Sequence, residues 1–274
     1  MESKERAQSA DGNMSLSLRG RHVLVTGASK GIGWAVAQRF AAAGATLTLT
    51  GRDAHLLARR RAALVTAHDM SCNVVTADLS DGAAAAQMVE QAMTAQGAID
   101  VLVNNAGFGA SQPFAKMTAG HWDQMLGVNL SSVFHVTRAA IGGMLDRETG
   151  RIINIASTAG TTGYAYVAAY CAAKHGVVGL TRALAREYAK TGITVNAICP
   201  GYVDTDMTAQ TVETIIKKTG RTSDEARAEL AKSNPQGRLI RPEEVADAAL
   251  WLAGPAAASI TGQCIVIAGG EVMP

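Results

Sequence analysis

The sequence predicts an α/β fold: a doubly wound, seven-stranded parallel sheet with helices on both faces, in one domain. Three observations carry this expectation. Short apolar runs alternate with stretches of helical period from residue 22 to residue 267, which builds βαβ units around strands buried on both faces. A glycine-rich turn, residues 27–33, sits at the first strand-to-helix junction. The chain of 274 residues is 48% hydrophobic and 18% charged, a balance that suits one large packed domain and excludes a disordered chain.

The elements follow in order. HVLVT at 22–26 is the first strand, with a helix over 34–43. TLTLT at 46–50 is the second, with a helix over 54–66. A strand at 73–77 precedes an Ala-rich helix over 83–96. The fourth strand, 101–104, leads into one long helix over 121–146. RIINIA at 151–156 is followed by a helix over 170–191. A sixth strand at 194–198 and a late helix over 242–253 precede the last strand at 263–267. That late helix opens on Arg241-Pro242-Glu243-Glu244, with proline at the first helical position and acids at the positive end of the dipole. Two segments stand outside the alternation. Residues 1–18 are expected to form a disordered leader to the domain at 19–274. Residues 208–238 form an insertion expected to be a helical lid over the substrate, capped at Thr222-Ser223 ahead of Asp224-Glu225.

Several function classes are set aside by composition. The 25 basic and 23 acidic residues leave a net charge of +2, with no basic stripe, so neither nucleic acid nor a membrane surface is an expected partner. Residues 1–13 are polar and lack the apolar core of a signal peptide. The uncharged stretches 152–173 and 248–270 are broken by Gly, Ser, Thr and Tyr, and read as buried interior rather than membrane helices. Cys72, Cys171, Cys199 and Cys264 form no CxxC or Cys/His pattern; they read as reduced thiols of a cytoplasmic protein without a metal site. His22, His121, His135 and His175 have no partners in pattern and read as structural or exposed.

Two groups of residues point to chemistry. In Thr26-Gly27-Ala28-Ser29-Lys30-Gly31-Ile32-Gly33 the glycines permit a tight turn and close backbone approach, and the following helix offers free N–H groups to a pyrophosphate. Tyr170 and Lys174 lie four residues apart on a helix and share a face. A phenol is a poor acid–base group at neutral pH, and a nearby ammonium is expected to lower its pKa. Ser157 follows the fifth strand, at the sheet end where doubly wound folds bind ligands, and its hydroxyl suits a carbonyl oxygen gaining charge. The second strand ends Thr50-Gly51-Arg52-Asp53. A neutral tip followed by Arg52, with Lys30 in the loop, suits a 2′-phosphate; the competing assignment makes both cations solvated and gives Asp53 the ribose.

Taken in order, TGxxxGxG at 26–33, Asp78, Asn104-Asn105-Ala106-Gly107, Asn129, Ser157, Tyr170-x-x-x-Lys174 and Pro200-Gly201 resemble the short-chain dehydrogenase/reductase family along nearly the whole domain. The resemblance implies a Rossmann fold, NADP(H) as cofactor and usually a homotetramer. It implies that Gly27, Ser29, Lys30, Gly31, Ile32 and Gly33 hold the pyrophosphate side, with Arg52 at the 2′-phosphate. It places Asp78 and Leu79 at the adenine, and Asn105, Ala106 and Gly107 under the adenosine. Val203 and Thr205, after Pro200 and Gly201, meet the nicotinamide carboxamide, so Asp204 and Asp206 are discounted as an acid pair. Lys174 also orders the nicotinamide ribose, Asn129 holds a proton-relaying water, and Tyr170 protonates the substrate oxygen. Tyr188 reads as packing.

Residues 142–207 look most like 3-oxoacyl thioester reductases, with wording close to actinorhodin-type polyketide ketoreductases (GGML, TGRI, NIAST, KHGVVGLT, TGITVNA, CPG). The match departs at Phe108-Gly109-Ala110, where those ketoreductases carry Pro-Gly-Gly. The expected pocket walls include Phe108, Tyr164 and Tyr202. Lys217, Lys218 and Arg221 either meet the phosphates of a carrier or are a solvated helix end. The expected activity is NADPH-dependent reduction of a small carbonyl substrate, a 3-oxoacyl thioester on acyl-carrier protein or coenzyme A. The alternatives are dehydrogenation of another ketone or secondary alcohol and, more remotely, a non-catalytic NADP-binding sensor.

Overall fold

A computed structural model describes residues 16–273. The strands are β1 (His22–Thr26), β2 (Thr46–Gly51), β3 (Cys72–Thr76), β4 (Val101–Asn104), β5 (Gly150–Ile155), β6 (Ile193–Pro200) and β7 (Cys264–Ile267). They form one sheet in the order β3-β2-β1-β4-β5-β6-β7, every pairing parallel. The chain winds outward from β1 to β3, then returns to β4 on the other side of β1. That reversal opens a crevice at the carboxyl ends of β1 and β4, where doubly wound folds bind ligands.

The helices are α1 (Gly31–Ala42), α2 (Ala54–His68), α3 (Gly82–Gln96), α4 (Ala119–Leu126), α5 (Ser132–Leu145), α6 (Ala168–Glu187), α7 (Asp206–Thr219), α8 (Ser223–Ala231) and α9 (Pro242–Ala253). Alternate residues of β1 face opposite layers, as the period of a strand requires. Val23 and Val25 pack with Phe40 of α1 and Leu252 of α9. Leu24 packs with Met88 of α3 and Val136 and Met144 of α5. Burial on both faces explains why these strands read as unbroken apolar runs.

Two boundaries differ from the sequence expectation. Leu18 is buried in the core, and its N–H donates to the Ala43 carbonyl at 2.8 Å. The packed domain therefore includes residues assigned to the leader; the rest of that segment, 1–15, lies outside the described residues. The single helix over 121–146 is instead α4 and α5 joined by a π-helical turn at Gly127–Ser131. Side chains compete for backbone there: Asn129 Nδ2 donates to the Met125 carbonyl at 3.0 Å and Ser132 Oγ to the Val128 carbonyl at 2.6 Å. Such competition loosens regular i→i+4 bonding. The insertion forms α7 and α8, and Thr222 caps α8 in a reciprocal box with Glu225.

A buried polar ladder fixes β4 against β5 beneath the crevice. Asn104 Nδ2 donates to Asn154 Oδ1 at 2.9 Å and to Thr137 Oγ1 of α5 at 3.0 Å. Asn154 Nδ2 donates to Thr181 Oγ1 of α6 at 2.9 Å. A slipped register would strand these groups without partners, which is costly in a dry interior.

At the amino end of the sheet His22 is buried between Gly97 O (2.8 Å from Nδ1) and Thr48 Oγ1 (2.9 Å from Nε2). Burial lowers its pKa below 6.5. The unfolded chain therefore binds a proton more readily in the window below 6.5, so stability falls as pH drops through that window. The melting temperature is expected to fall between neutral pH and about pH 5, and to fall less steeply in His22→Gln; equal slopes in thermal scans would refute the assignment.

Candidate active site

The loop between β1 and α1 is built by contacts that leave no room for side chains. Gly27 and Gly31 have φ of +64° and +57°, a region glycine occupies without strain. A Cβ on Gly33 would lie 2.3 Å from Gly27 O and 2.4 Å from Asn105 Nδ2. The turn after β4 clips the loop in place. Asn105 Nδ2 donates to Thr26 O (2.9 Å) and Gly27 O (3.1 Å), and the N–H groups of Asn105 and Ala106 donate to Thr26 Oγ1 at 2.9 and 3.0 Å. The first turn of α1 has no side-chain cap, so its N–H groups remain available to an anion. This glycine cradle fits a dinucleotide pyrophosphate.

The tip of β2 carries the residues of both assignments left open by the sequence. Asp53 Oδ1 accepts from Leu56 N at 2.9 Å and caps α2, so this carboxylate serves the helix. Arg52 is exposed and helps hold the Asp78 carboxyl below its usual range, after the larger effect of the Ser80 hydrogen bonds. Lys30, expected beside Arg52, instead pairs with Asp206 Oδ2 at 3.5 Å. The second cation at the loop is Arg60, which the sequence reading missed. It donates through Nε to Ser29 O at 2.9 Å and lies 4.4 Å above the Trp34 ring. A run of three arginines on a polar helix hides which one faces inward. Asp78 Oδ1 accepts from Ser80 N and Oγ at 3.0 and 2.7 Å, while Leu79 is buried in the core.

The carboxyl end of β5 and the start of α6 bring Ser157, Tyr170 and Lys174 together. Ser157 Oγ accepts from Ala159 N at 3.1 Å. Lys174 is 4% exposed; its Nζ donates to the Ile155 carbonyl at 2.8 Å and lies 5.6 Å from the Tyr170 ring centroid. Burial pulls the Lys174 ammonium down to about 8. It pushes the Tyr170 phenol up to about 12, against the pull of the Ser157 hydroxyl. Burial is the largest influence on the phenol, and the Lys174 ammonium is engaged by a backbone carbonyl.

Asn129, fully buried, sits on the π-helical turn. Its Oδ1 accepts from Phe108 N at 3.1 Å, so both ends of the side chain hold backbone. A Cβ on Gly107 would lie 2.7 Å from Asn129 Oδ1 and 3.8 Å from Lys174 Nζ, which places these three residues at one point. Beyond β6, Pro200 ends the strand, Val203 is buried and bridges Ile240, and the Thr205 methyl would touch a Gly31 Cβ at 3.2 Å. Thr205 thus closes onto the loop, while the Val203 carbonyl accepts from the hydroxyls of Thr208 and Thr205.

Asp204 pairs with Arg227 at 2.7 Å and Asp206 with Lys30 at 3.5 Å. Arg221 pairs with Glu229 at 3.2 Å, and Lys217 and Lys218 lie in the last turn of α7. Tyr164 donates to Glu271 Oε1 at 2.7 Å and lies 2.9 Å from Thr158 Oγ1. Phe108 is half-buried and Tyr202 exposed. Glu271, directly after the glycine pair Gly269-Gly270 that follows β7, is a second residue the sequence reading missed. Among the described residues no cluster of His, Cys, Asp and Glu suits a metal ion, and no helix is long and apolar enough to cross a membrane.

This arrangement of glycine loop, serine, tyrosine and lysine around one crevice defines a class, and comparison with known proteins agrees. A family model described as "Enoyl-(Acyl carrier protein) reductase" matches residues 27–271. The chain belongs to the short-chain dehydrogenase/reductase family, and with it to the oxidoreductases. It is 44% identical over 253 residues to a protein assigned as the ketoacyl reductase of a monensin polyketide synthase in Streptomyces virginiae, covering 91% of this chain and 96% of that protein. It is 38% identical over 256 residues to a D-beta-hydroxybutyrate dehydrogenase of Cupriavidus necator, covering 93% and 99%. A crystal structure of a variant actinorhodin polyketide ketoreductase with NADPH superposes with TM-score 0.88 at 38% identity, covering 92% of this chain and 97% of that one.

Proposed function

We propose that the protein uses NADPH to reduce a 3-oxoacyl thioester, carried on coenzyme A or acyl-carrier protein, to the 3-hydroxyacyl thioester. The observation that carries this reading is the grouping of Ser157, Tyr170 and Lys174 beside Gly107 at the mouth of the glycine loop. Ketoacyl reductases among the relatives support the carbonyl substrate. Gly27, Gly31 and Gly33 would hold the pyrophosphate, Arg52 and Arg60 the 2′-phosphate, and Thr205 the nicotinamide end. When bound, NADPH supplies the hydride that reaches the carbonyl carbon.

The chain's own residues manage the oxygen. Ser157 donates a hydrogen bond to the carbonyl oxygen as charge grows there. The Tyr170 phenol, which burial pushes up to about 12, gives its proton to that oxygen and is the general acid of the reductive direction. Lys174 holds positive charge behind the forming phenolate, and Asn129 positions Phe108 and Gly107 at its edge. The half-buried Tyr164 and the lid of α7 and α8 keep water from the pocket.

The test follows NADPH oxidation with acetoacetyl-CoA, in parallel with NADH. Turnover is expected with NADPH in clear preference. A guanidinium–phosphate contact is worth roughly 1.5–3 kcal/mol, so Arg52→Asp is expected to shift the NADPH-to-NADH ratio of kcat/KM by about 10-fold or more toward NADH. An unchanged ratio would remove Arg52 from the cofactor site, and silence with the thioester alongside turnover of simple ketones would discard the thioester.

A further inference from the structure

Glu271 enters the substrate side of the site from the end of the chain. Its Oε1 is fixed by the Tyr164 phenol at 2.7 Å, and Tyr164 is fixed in turn by Thr158 at 2.9 Å, next to Ser157 in sequence. Its Oε2 is shielded from solvent and has no hydrogen-bond partner among the described residues. A Cβ on Gly201 would stand 2.7 Å from that oxygen, so the glycine after Pro200 provides the space the carboxylate occupies. No lysine or arginine among the described residues forms an ion pair with it. Its charge helps burial to raise the phenols of Tyr164 and Tyr202, and Tyr202 in turn bears on Tyr170. A carboxylate without an ion-pair partner among the described residues therefore stands between Tyr164 and Tyr202.

We propose that Glu271 is a specificity-determining residue, which rejects substrates bearing a free carboxylate beside the reacting ketone and admits the corresponding neutral esters and thioesters. The inference rests on the carbonyl-reductase reading above and refines its substrate class. Like charges brought together in a poorly solvated wall repel strongly, and specificity of this kind is gained by excluding the wrong ligand.

The test is calorimetric titration of the full chain saturated with NADP⁺, using acetoacetate and methyl acetoacetate. The wild type is expected to bind the ester at least about tenfold more tightly than the acid. Glu271→Gln keeps an acceptor for Tyr164 and removes the charge; it is expected to shrink that ratio to about threefold or less by tightening the acid. Glu271→Ala, which also removes the charge, is expected to move the ratio the same way and serves where Glu271→Gln does not fold. Equal binding of acid and ester by the wild type, no binding of either, or a ratio unmoved by both variants overturns the proposal. Discrimination intact in binding, with no NADPH oxidation on acetoacetyl-CoA, overturns the thioester reading and leaves the role of Glu271 standing.

Discussion

Replacing Tyr170 with phenylalanine is expected to lower kcat for carbonyl reduction by about 10²–10⁴-fold, the usual contribution of a positioned general acid. The substitution removes one hydroxyl and preserves the ring that packs 5.6 Å from Lys174 Nζ. Cofactor affinity is therefore expected to hold within about twofold, because the glycine loop and Arg52 do not touch the phenol. The loss should fall on kcat and kcat/KM alike, the signature of an interaction made in the transition state. Retention of more than a tenth of wild-type kcat would show that another group delivers the proton. Raised NADPH dissociation with kcat preserved would instead make Tyr170 a binding residue.

Gly33→Ala is expected to remove cofactor binding and to destabilise the fold together. The new Cβ would sit 2.3 Å from Gly27 O and 2.4 Å from Asn105 Nδ2, and the first of these is backbone that cannot swing aside. Overpacking of this kind costs about 1–3 kcal/mol, which for a chain of this size lowers Tm by roughly 2–12 °C. NADPH affinity should fall by about 100-fold, because moving Gly27 also moves the clip made by Asn105. Gly142→Ala in α5 is the control: nothing lies within 4 Å of its Cβ, and alanine is the better helix former by about 1 kcal/mol. Comparable losses in both variants would show that the damage is general rather than a collision in the loop.

The strands were legible in the sequence because burial on both faces writes them as short apolar runs, as in β1 and β4. Gly27, Gly31, Gly33, Ser157, Tyr170 and Lys174 were legible because their spacing is tied to the turn and helix that carry them. Other features were not. The π-helical turn at Gly127–Ser131 adds no sequence punctuation, since an Asn and a Ser bonding to their own helix look like ordinary polar residues. Arg60 reaches Ser29 only because α2 folds back over the loop, and Lys30 turns to Asp206, a partner 176 residues away in sequence. Glu271 meets Tyr164 across 107 positions. Local pattern carries no signal for contacts of that separation, and the pKa of Tyr170 depends on burial that only the assembled fold defines.

The Thr26 hydroxyl, which takes two N–H groups from the turn after β4, has a consequence for how a nucleotide arrives. The fold itself locks two loops from different strands together, so little chain entropy remains to be lost at the moment of association. Binding should then be fast and show a heat-capacity change set by surface covered rather than by segments becoming ordered. Cutting the clip, as in Thr26→Val, would move that ordering from folding to binding, and affinity would weaken through preorganisation alone, without the loss of any contact to the ligand itself.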